Sequence, residues 1–462
     1  MKIKVENLGP LRQAEFELGD MTIICGGNNT GKTYATYALF GFLTFWRGMF
    51  SVTPPKDEIT KLIDNGNLQL NLNDYIKKAG DIINTACEAY NKNLPMVFGS
   101  SDKLFADTKF SIILEDEDIT PLDSFELSLG SAKKQLLQIA KGKDDKFVTI
   151  TLLVDKTQEP VSENALASSI GNALKDIIFG DLFRNPFIAS AERTGAAIFR
   201  KELDFARNRF IDQMSTKDKS LNPYELLNKV FTGYALPVRV NVDFTRQLEN
   251  ISRRESFIAK EHPDLLNDFT DIIGGEYKVV RDELFYVPNA NKRIKLNMDE
   301  SSSAVRSLLD IGFYLRHSVE PGDLLIVDEP ELNLHPENQR RMARLFASLV
   351  NLGVKVFITT HSDYIIKELN TLIMLHRDLP HLKAIQRNEG YKDQELLEAA
   401  KIKVFIAEKA KLVLDGNGKK TAVQTLVPAD IDQELGIEAR SFDVTIDEMN
   451  RIQETILFSG EE

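Results

Sequence analysis

One loop constrains this chain more than any other feature: Gly26-Gly27-Asn28-Asn29-Thr30-Gly31-Lys32-Thr33. It fits G-x-x-x-x-G-K-[ST], and both flanks agree with that pattern. Met21-Thr22-Ile23-Ile24-Cys25 is a short apolar run of the kind that forms a buried strand. From Lys32 to about Phe45 the pattern is helical. Glycines let backbone N–H groups converge on phosphate oxygens without side-chain clash. The start of the helix adds partial positive charge. Gly27, Asn28, Asn29, Thr30 and Gly31 are therefore expected to cradle phosphates. Lys32 is expected to reach the β- and γ-phosphates, and the Thr33 hydroxyl to bind Mg²⁺.

A second stretch completes the chemistry. Leu324-Leu325-Ile326-Val327-Asp328-Glu329-Pro330 is an apolar run ending in two acids. Burial of the run puts Asp328 at the carboxyl end of a strand, where open α/β sheets bind ligands. Asp328 is expected to hold Mg²⁺, directly or through water, and Glu329 to orient or deprotonate an attacking water. Val356-Phe357-Ile358-Thr359-Thr360-His361-Ser362 ends a further apolar run on a histidine. On a shared sheet edge, His361 would reach a γ-phosphate or the same water.

Composition narrows the class. The 462 residues are 43% hydrophobic, enough for real cores, and the length suggests two or three domains at roughly 150 residues each. Lys plus Arg is 57 and Asp plus Glu is 69, a net charge of −12. That balance argues against a chain coating nucleic acid along its whole surface, though not against a local basic groove. Two cysteines exclude a disulfide scaffold and favour a cytoplasmic home. No basic start followed by an apolar core opens the sequence, and the most apolar stretch, Tyr37 to Phe50, falls short of the ~20 residues of a membrane span.

Along the chain, Lys2–Leu8 and Ala14–Leu18 alternate as strands around a Gly9-Pro10 turn. Thr60 to Lys92 reads as helical with a break near Gly66, as do Ala165 to Leu182 and Tyr224 to Ile273. Glu192 to Met214 reads as a long charged helix. Phe110–Leu114 and Phe147–Val154 read as strands. Helices are expected over Ser303–His317, Pro336–Leu349 and Asp363–Asn370. A hairpin turning at Asp415-Gly416-Asn417-Gly418 and a last helix, Asp447–Phe458, are expected near the end.

The loop, the acid strand, the segment Glu331-Leu332-Asn333-Leu334-His335-Pro336 and Thr360-His361-Ser362, in this order, resemble the ABC-type ATPase superfamily, in particular its SMC and OLD-like branch and predicted bacterial ATPases of phage-defence systems. They look like its Walker A, Walker B, D-loop and H-loop, over residues 1–45 and about 290–375. The resemblance implies a P-loop ABC-type head, a mixed sheet flanked by helices. The head would comprise residues 1–45 and 291–375, with a large, mainly helical inserted lobe over 46–290 and a small β-rich extension over 376–462. It implies ATP and Mg²⁺ as ligands. Glu300-Ser301-Ser302-Ser303 would be the family's signature, with Ser303 where glycine is usual. Ser301, Ser302 and Ser303 would then bind the γ-phosphate held by a partner chain in a head-to-tail homodimer; simple helix capping is the other reading of these serines. Phe187-Ile188-Ala189-Ser190-Ala191-Glu192-Arg193 looks similar to a segment these ATPases carry between the Walker motifs. Arg193 would contact phosphate or Glu329, or else form a surface salt bridge.

The resulting expectation is a switch ATPase. Dimerisation of its heads, possibly within a higher oligomer, would control a separate effector such as a nuclease or toxin in anti-phage defence. SMC-like DNA maintenance, a transporter's nucleotide-binding subunit and a scaffold with negligible turnover are the alternatives. Arg200, Lys201, Arg207, Arg209, Arg246, Arg253 and Arg254 could line a DNA groove, but interleaved acids favour a solvated helix face. Asp430 and Asp432 with Glu408 faintly resemble a nuclease pattern, in too little chain for such a domain. His376 and His381 lack the cysteines of a zinc site.

Overall fold

The computed structural model describes residues 1–131, 134–153, 162–199, 234–281, 283–413, 420–437 and 448–456. They form two compact units. One comprises Met1–Lys4, Gly41–Leu94 and Lys109–Asn185; the other comprises Val5–Phe40, Pro95–Thr108 and Pro186–Glu462.

The second unit is built on a six-stranded sheet. Its strands follow the order Lys420–Pro428, Ile402–Val413, Met21–Cys25, Lys355–Thr360, Leu324–Asp328, Pro186–Ala189. The last five run parallel, and Lys420–Pro428 is antiparallel to its neighbour, so the sheet is mixed. Met21–Cys25 and Leu324–Asp328 are buried at every position. That matches their unbroken apolar runs, since parallel strands covered on both faces have no solvent side to mark with polar residues. The register sets Thr360 beside Cys25, Asp328 beside Thr359 and Val327 beside Ala189. The segments after Cys25, Ala189, Asp328 and Thr360 therefore leave the sheet at one edge.

Helices flank this sheet. Pro336–Asn351 packs on Asp363–Leu375, and Arg340 and Arg344 of the first helix each lie 2.6 Å from the Glu368 carboxylate of the second. Pro336 sits at the first helical position, where its missing N–H costs nothing, and His335 Nδ1 accepts the Glu337 N–H at 3.3 Å. Ser362 Oγ accepts the Ile365 N–H at 3.3 Å and so starts the next helix.

The other unit holds a four-stranded antiparallel sheet in the order Asn67–Asn71, Phe147–Leu152, Lys134–Lys141, Phe125–Ser131. Phe42 anchors its aromatic cluster, with ring centroids 5.5 Å from Tyr90 and 5.4 Å from both Phe110 and Phe183.

Several expectations change. The helix expected over Thr60–Lys92 is interrupted by the strand Asn67–Asn71, which follows Gly66 at φ 75° and pairs with Phe147–Thr151. Its Leu68 and Leu70 are buried while their neighbours are not, a period of two that a five-residue strand barely displays. The strands Phe125–Ser131 and Lys134–Lys141 were not anticipated. Pro186–Ala189 and Ile402–Val413 join the central sheet although they fall within the spans assigned to the lobe and the extension. Of the charged helix expected from Glu192, the described part is Arg193–Ile198. The hairpin turn at Asp415–Gly418 lies outside the described residues, and residues 448–456 are helical. No helix among the described residues is long and apolar enough to cross a membrane.

Candidate functional site

Two glycines shape the loop after Cys25. Gly26 has φ 137°, and a Cβ there would lie 2.7 Å from the Ala407 carbonyl oxygen. Gly31 has φ 98°, and a Cβ there would lie 2.7 Å from Leu11 Cγ. Thr30 Oγ1 donates to the Gly27 carbonyl at 2.8 Å and closes the turn. Lys32 opens the helix Lys32–Met49, with its amine folded onto the loop. Nζ donates to the Gly26 and Gly27 carbonyls at 2.9 and 2.8 Å. Burial lowers its pKa, against the opposing pull of Glu329, Asp328 and Glu331.

The next residue meets the second motif. Thr33 Oγ1 lies 3.5 Å from Asp328 Oδ1, which also accepts a hydrogen bond from Thr359 Oγ1. Asp328 is fully buried, and its Oδ2 has no hydrogen-bond partner. Burial first, then the charges of Glu329 and Glu192, push its carboxyl up to about 6, against the hydrogen bonds from Thr359 and Thr33. A buried carboxylate oxygen without a donor fits a cation. The protein donors here are one hydroxyl and one carboxylate, and no group of three or more His, Cys, Asp or Glu side chains assembles a metal site among the described residues. This suits a hard divalent ion such as Mg²⁺, which keeps several waters and takes its remaining ligands from phosphate.

Glu329 has φ 53°, an uncommon conformation for a non-glycine residue, and its N–H donates to the Thr359 carbonyl at 3.0 Å. His361 Nδ1 lies 3.8 Å from Glu329 Oε1 and 3.2 Å from Glu331 Oε1. Glu331, expected only as the first residue of the D-loop-like segment, holds the histidine. Its buried Oε1 accepts from the His361 N–H at 2.7 Å and from Thr360 Oγ1 at 2.9 Å, fixing the histidine's backbone. Nothing in the sequence singled it out beyond its place two residues after Glu329.

Around this edge lies an open cavity of about 600 Å³. Asn28, Asn29, Thr30, Gly31, Lys32 and Thr33 line it, as do Glu329 and His361. Pro10 and Tyr34 line it too and were not foreseen. Gly27 and Asp328 are not in the lining, Asp328 being buried beside Thr33.

The remaining predicted residues are placed elsewhere. Arg193 does not line the cavity and is no surface salt bridge, being 1% exposed. It reaches Glu329 through the backbone carbonyl, at 2.8 Å from Nη2. Ser301 Oγ donates to the Asn297 carbonyl at 2.7 Å, Ser302 Oγ caps the helix Ser303–Ser307 by accepting the Val305 N–H at 3.3 Å, and Ser303 Oγ accepts from Arg306 Nη2 at 3.3 Å. None of the three serines lines the cavity of their own chain. Arg246 pairs with Asp243 at 3.0 Å. Arg200, Lys201, Arg207 and Arg209 lie outside the described residues. Asp432 Oδ1 accepts the Glu434 and Leu435 N–H groups and shapes a turn.

A family model for the AAA ATPase domain matches residues 1–366 of the 462. The chain belongs to the AAA ATPase domain family. The matched span of this AAA ATPase contains the loop, both acids and His361. These motifs meet at one edge of a single mixed sheet. Among solved structures, this AAA ATPase is similar to the SMC head domain from Thermotoga maritima, at 11% identity and a TM-score of 0.28, covering 93% of this chain and 98% of that one. It is similar also to an SmcHead bound to the C-winged helix domain of ScpA, at 13% identity and a TM-score of 0.30, covering 92% and 97%. No curated protein matches this AAA ATPase.

Proposed function

We propose that this chain binds Mg·ATP in the cavity of the Gly26–Thr33 loop and hydrolyses it. The observation that carries the reading is the meeting of Thr33 with Asp328, a hydroxyl and an orphaned carboxylate oxygen beside a phosphate-binding loop. Loop N–H groups and the helix start would hold the phosphates, and Lys32 would leave its two carbonyls for the β- and γ-phosphates. Thr33 and Asp328 would hold Mg²⁺, which when bound neutralises charge on the phosphate oxygens. Glu329 would take the proton of the attacking water, and His361, steadied by Glu331, would orient that water or the γ-phosphate.

Family likeness extends the proposal. Two heads would close head-to-tail on two nucleotides, with Ser301, Ser302 and Ser303 of each facing the other's site. Their placement away from the cavity of their own chain is compatible with that role. Hydrolysis would let the heads part and so control a separate effector, with a cytoplasmic role in anti-phage defence as the setting. The test is phosphate release from Mg·ATP by the full chain, with and without DNA, beside Lys32→Ala. Turnover lost in Lys32→Ala supports the reading. A wild-type chain that binds ATP without releasing phosphate would leave only a nucleotide-gated scaffold.

A further inference from the structure

Among the described residues Arg193 is the largest fully buried charged side chain, and its guanidinium bonds backbone carbonyls. Nε donates to the Ser307 carbonyl at 2.7 Å, Nη1 to the Ser190 carbonyl at 2.9 Å and to the Asp328 carbonyl at 2.7 Å, and Nη2 to the Glu329 carbonyl at 2.8 Å. Four hydrogen bonds thus join three elements: the turn after Ala189, the end of the acid strand and the helix that follows Ser302. The planar fork makes this possible, because its donors point in fixed, divergent directions. The adjacent Glu192 reaches a fourth element. Its Oε2 accepts from Tyr37 Oη at 2.9 Å, and Tyr37 stands on the helix that opens with Lys32.

Two features show why the acid turn needs such a holder. Glu329 sits at φ 53°, a strained conformation for a residue other than glycine that persists only where its surroundings enforce it. Arg193 binds the carbonyls immediately before and at that residue, so it fixes both peptide planes that aim the Glu329 side chain. Asp310 is buried near Arg193, and neither of its oxygens has a hydrogen-bond partner. Its charge favours a cation at Arg193 without competing for the carbonyl bonds.

We infer that Glu192 and Arg193 form a positioning clamp that aims Glu329 and ties the acid turn to both the loop helix and the serine helix. The inference rests on the ATPase reading above and assigns Arg193 a role through Glu329 rather than on phosphate. Lysine keeps the charge but carries its three donors on one nitrogen, so it cannot reproduce four divergent bonds made from three nitrogens. Tyr37→Phe removes only the hydroxyl that Glu192 accepts.

The experiment measures melting temperature, Mg·ATP affinity and single-turnover hydrolysis in the full chain for Arg193→Lys and Tyr37→Phe, each alone and combined with Glu329→Gln. The clamp predicts affinity within about threefold of wild type. It predicts a hydrolysis rate down tenfold or more for Arg193→Lys and threefold or more for Tyr37→Phe, with less than a twofold further loss in the Glu329→Gln background. Should Arg193→Lys fail to fold, Tyr37→Phe decides on the same criteria. Rates within twofold of wild type, equal losses in both backgrounds, or affinity falling in step with melting temperature would each overturn the clamp. A wild-type chain without turnover overturns the ATPase reading and the clamp together, whereas an active wild type with indifferent variants overturns the clamp alone.

Discussion

Thr33 and Asp328 are 295 residues apart in the chain, yet the threonine hydroxyl lies 3.5 Å from the carboxylate. The parallel pairing of Leu324–Asp328 and of Met21–Cys25 with Lys355–Thr360 between them brings the two motifs to one edge. The proposed chemistry depends on that meeting, and so do the predictions below.

Glu329→Gln keeps the size of the side chain and removes its basicity. Mg·ATP affinity should stay near wild type while turnover falls by about 10²–10⁴-fold, the usual worth of a general base. The trapped ATP state should shift the chain toward dimer in size-exclusion chromatography. Wild-type turnover in this variant would remove Glu329 from the reaction.

The two glycines at the start of the loop should respond differently to alanine. Gly26 has φ 137° and the Ala407 backbone 2.7 Å from any Cβ, whereas Gly27 would meet only Thr30 Cγ2 at 4.0 Å. Gly26→Ala should cost at least about 1–3 kcal/mol of stability from backbone strain alone. Gly27→Ala should melt within a degree or two of wild type. Urea midpoints of the two variants make the comparison, and equal midpoints would contradict the loop geometry.

Burial pushes the Asp310 carboxyl up to about 7, with Arg193 pulling the other way. An acid whose pKa is raised on folding stabilises the fold fully below its unfolded pKa and loses that contribution as pH rises through the folded value. Asp310→Asn has no such loss. Between pH 5.5 and 8.5 the wild type should therefore lose on the order of 2 kcal/mol relative to the variant. Melting temperatures at the two pH values test this, and a constant difference between the proteins would contradict the buried, ionising Asp310.

How much of this was legible follows from what each residue type signals. The strands Met21–Cys25 and Leu324–Asp328 announce themselves because burial on both faces leaves unbroken apolar runs. The loop is legible because its spacing serves the phosphate, not the fold around it. Asn67–Asn71 was hidden because its two buried leucines among polar residues fit a helix as readily as a strand. The contact of Arg193 with Glu329 was legible, but not its form. Its partners are backbone carbonyls, and a carbonyl carries no identity that a sequence displays. Glu331 was passed over likewise, because its worth lies in the backbone N–H of His361. The membership of Pro186–Ala189 and Ile402–Val413 in the central sheet depends on pairings with strands far away in the chain, which no local pattern encodes.

The most direct test of the site is the Mg²⁺ dependence of ATP binding by wild type and Asp328→Asn. A carboxylate that holds the ion should make Mg²⁺ tighten ATP binding in the wild type, and the isosteric amide should lose at least about tenfold of that gain, the scale of one charge-assisted interaction. Identical Mg²⁺ dependence in both proteins would show that Asp328 does not join the loop in holding Mg·ATP.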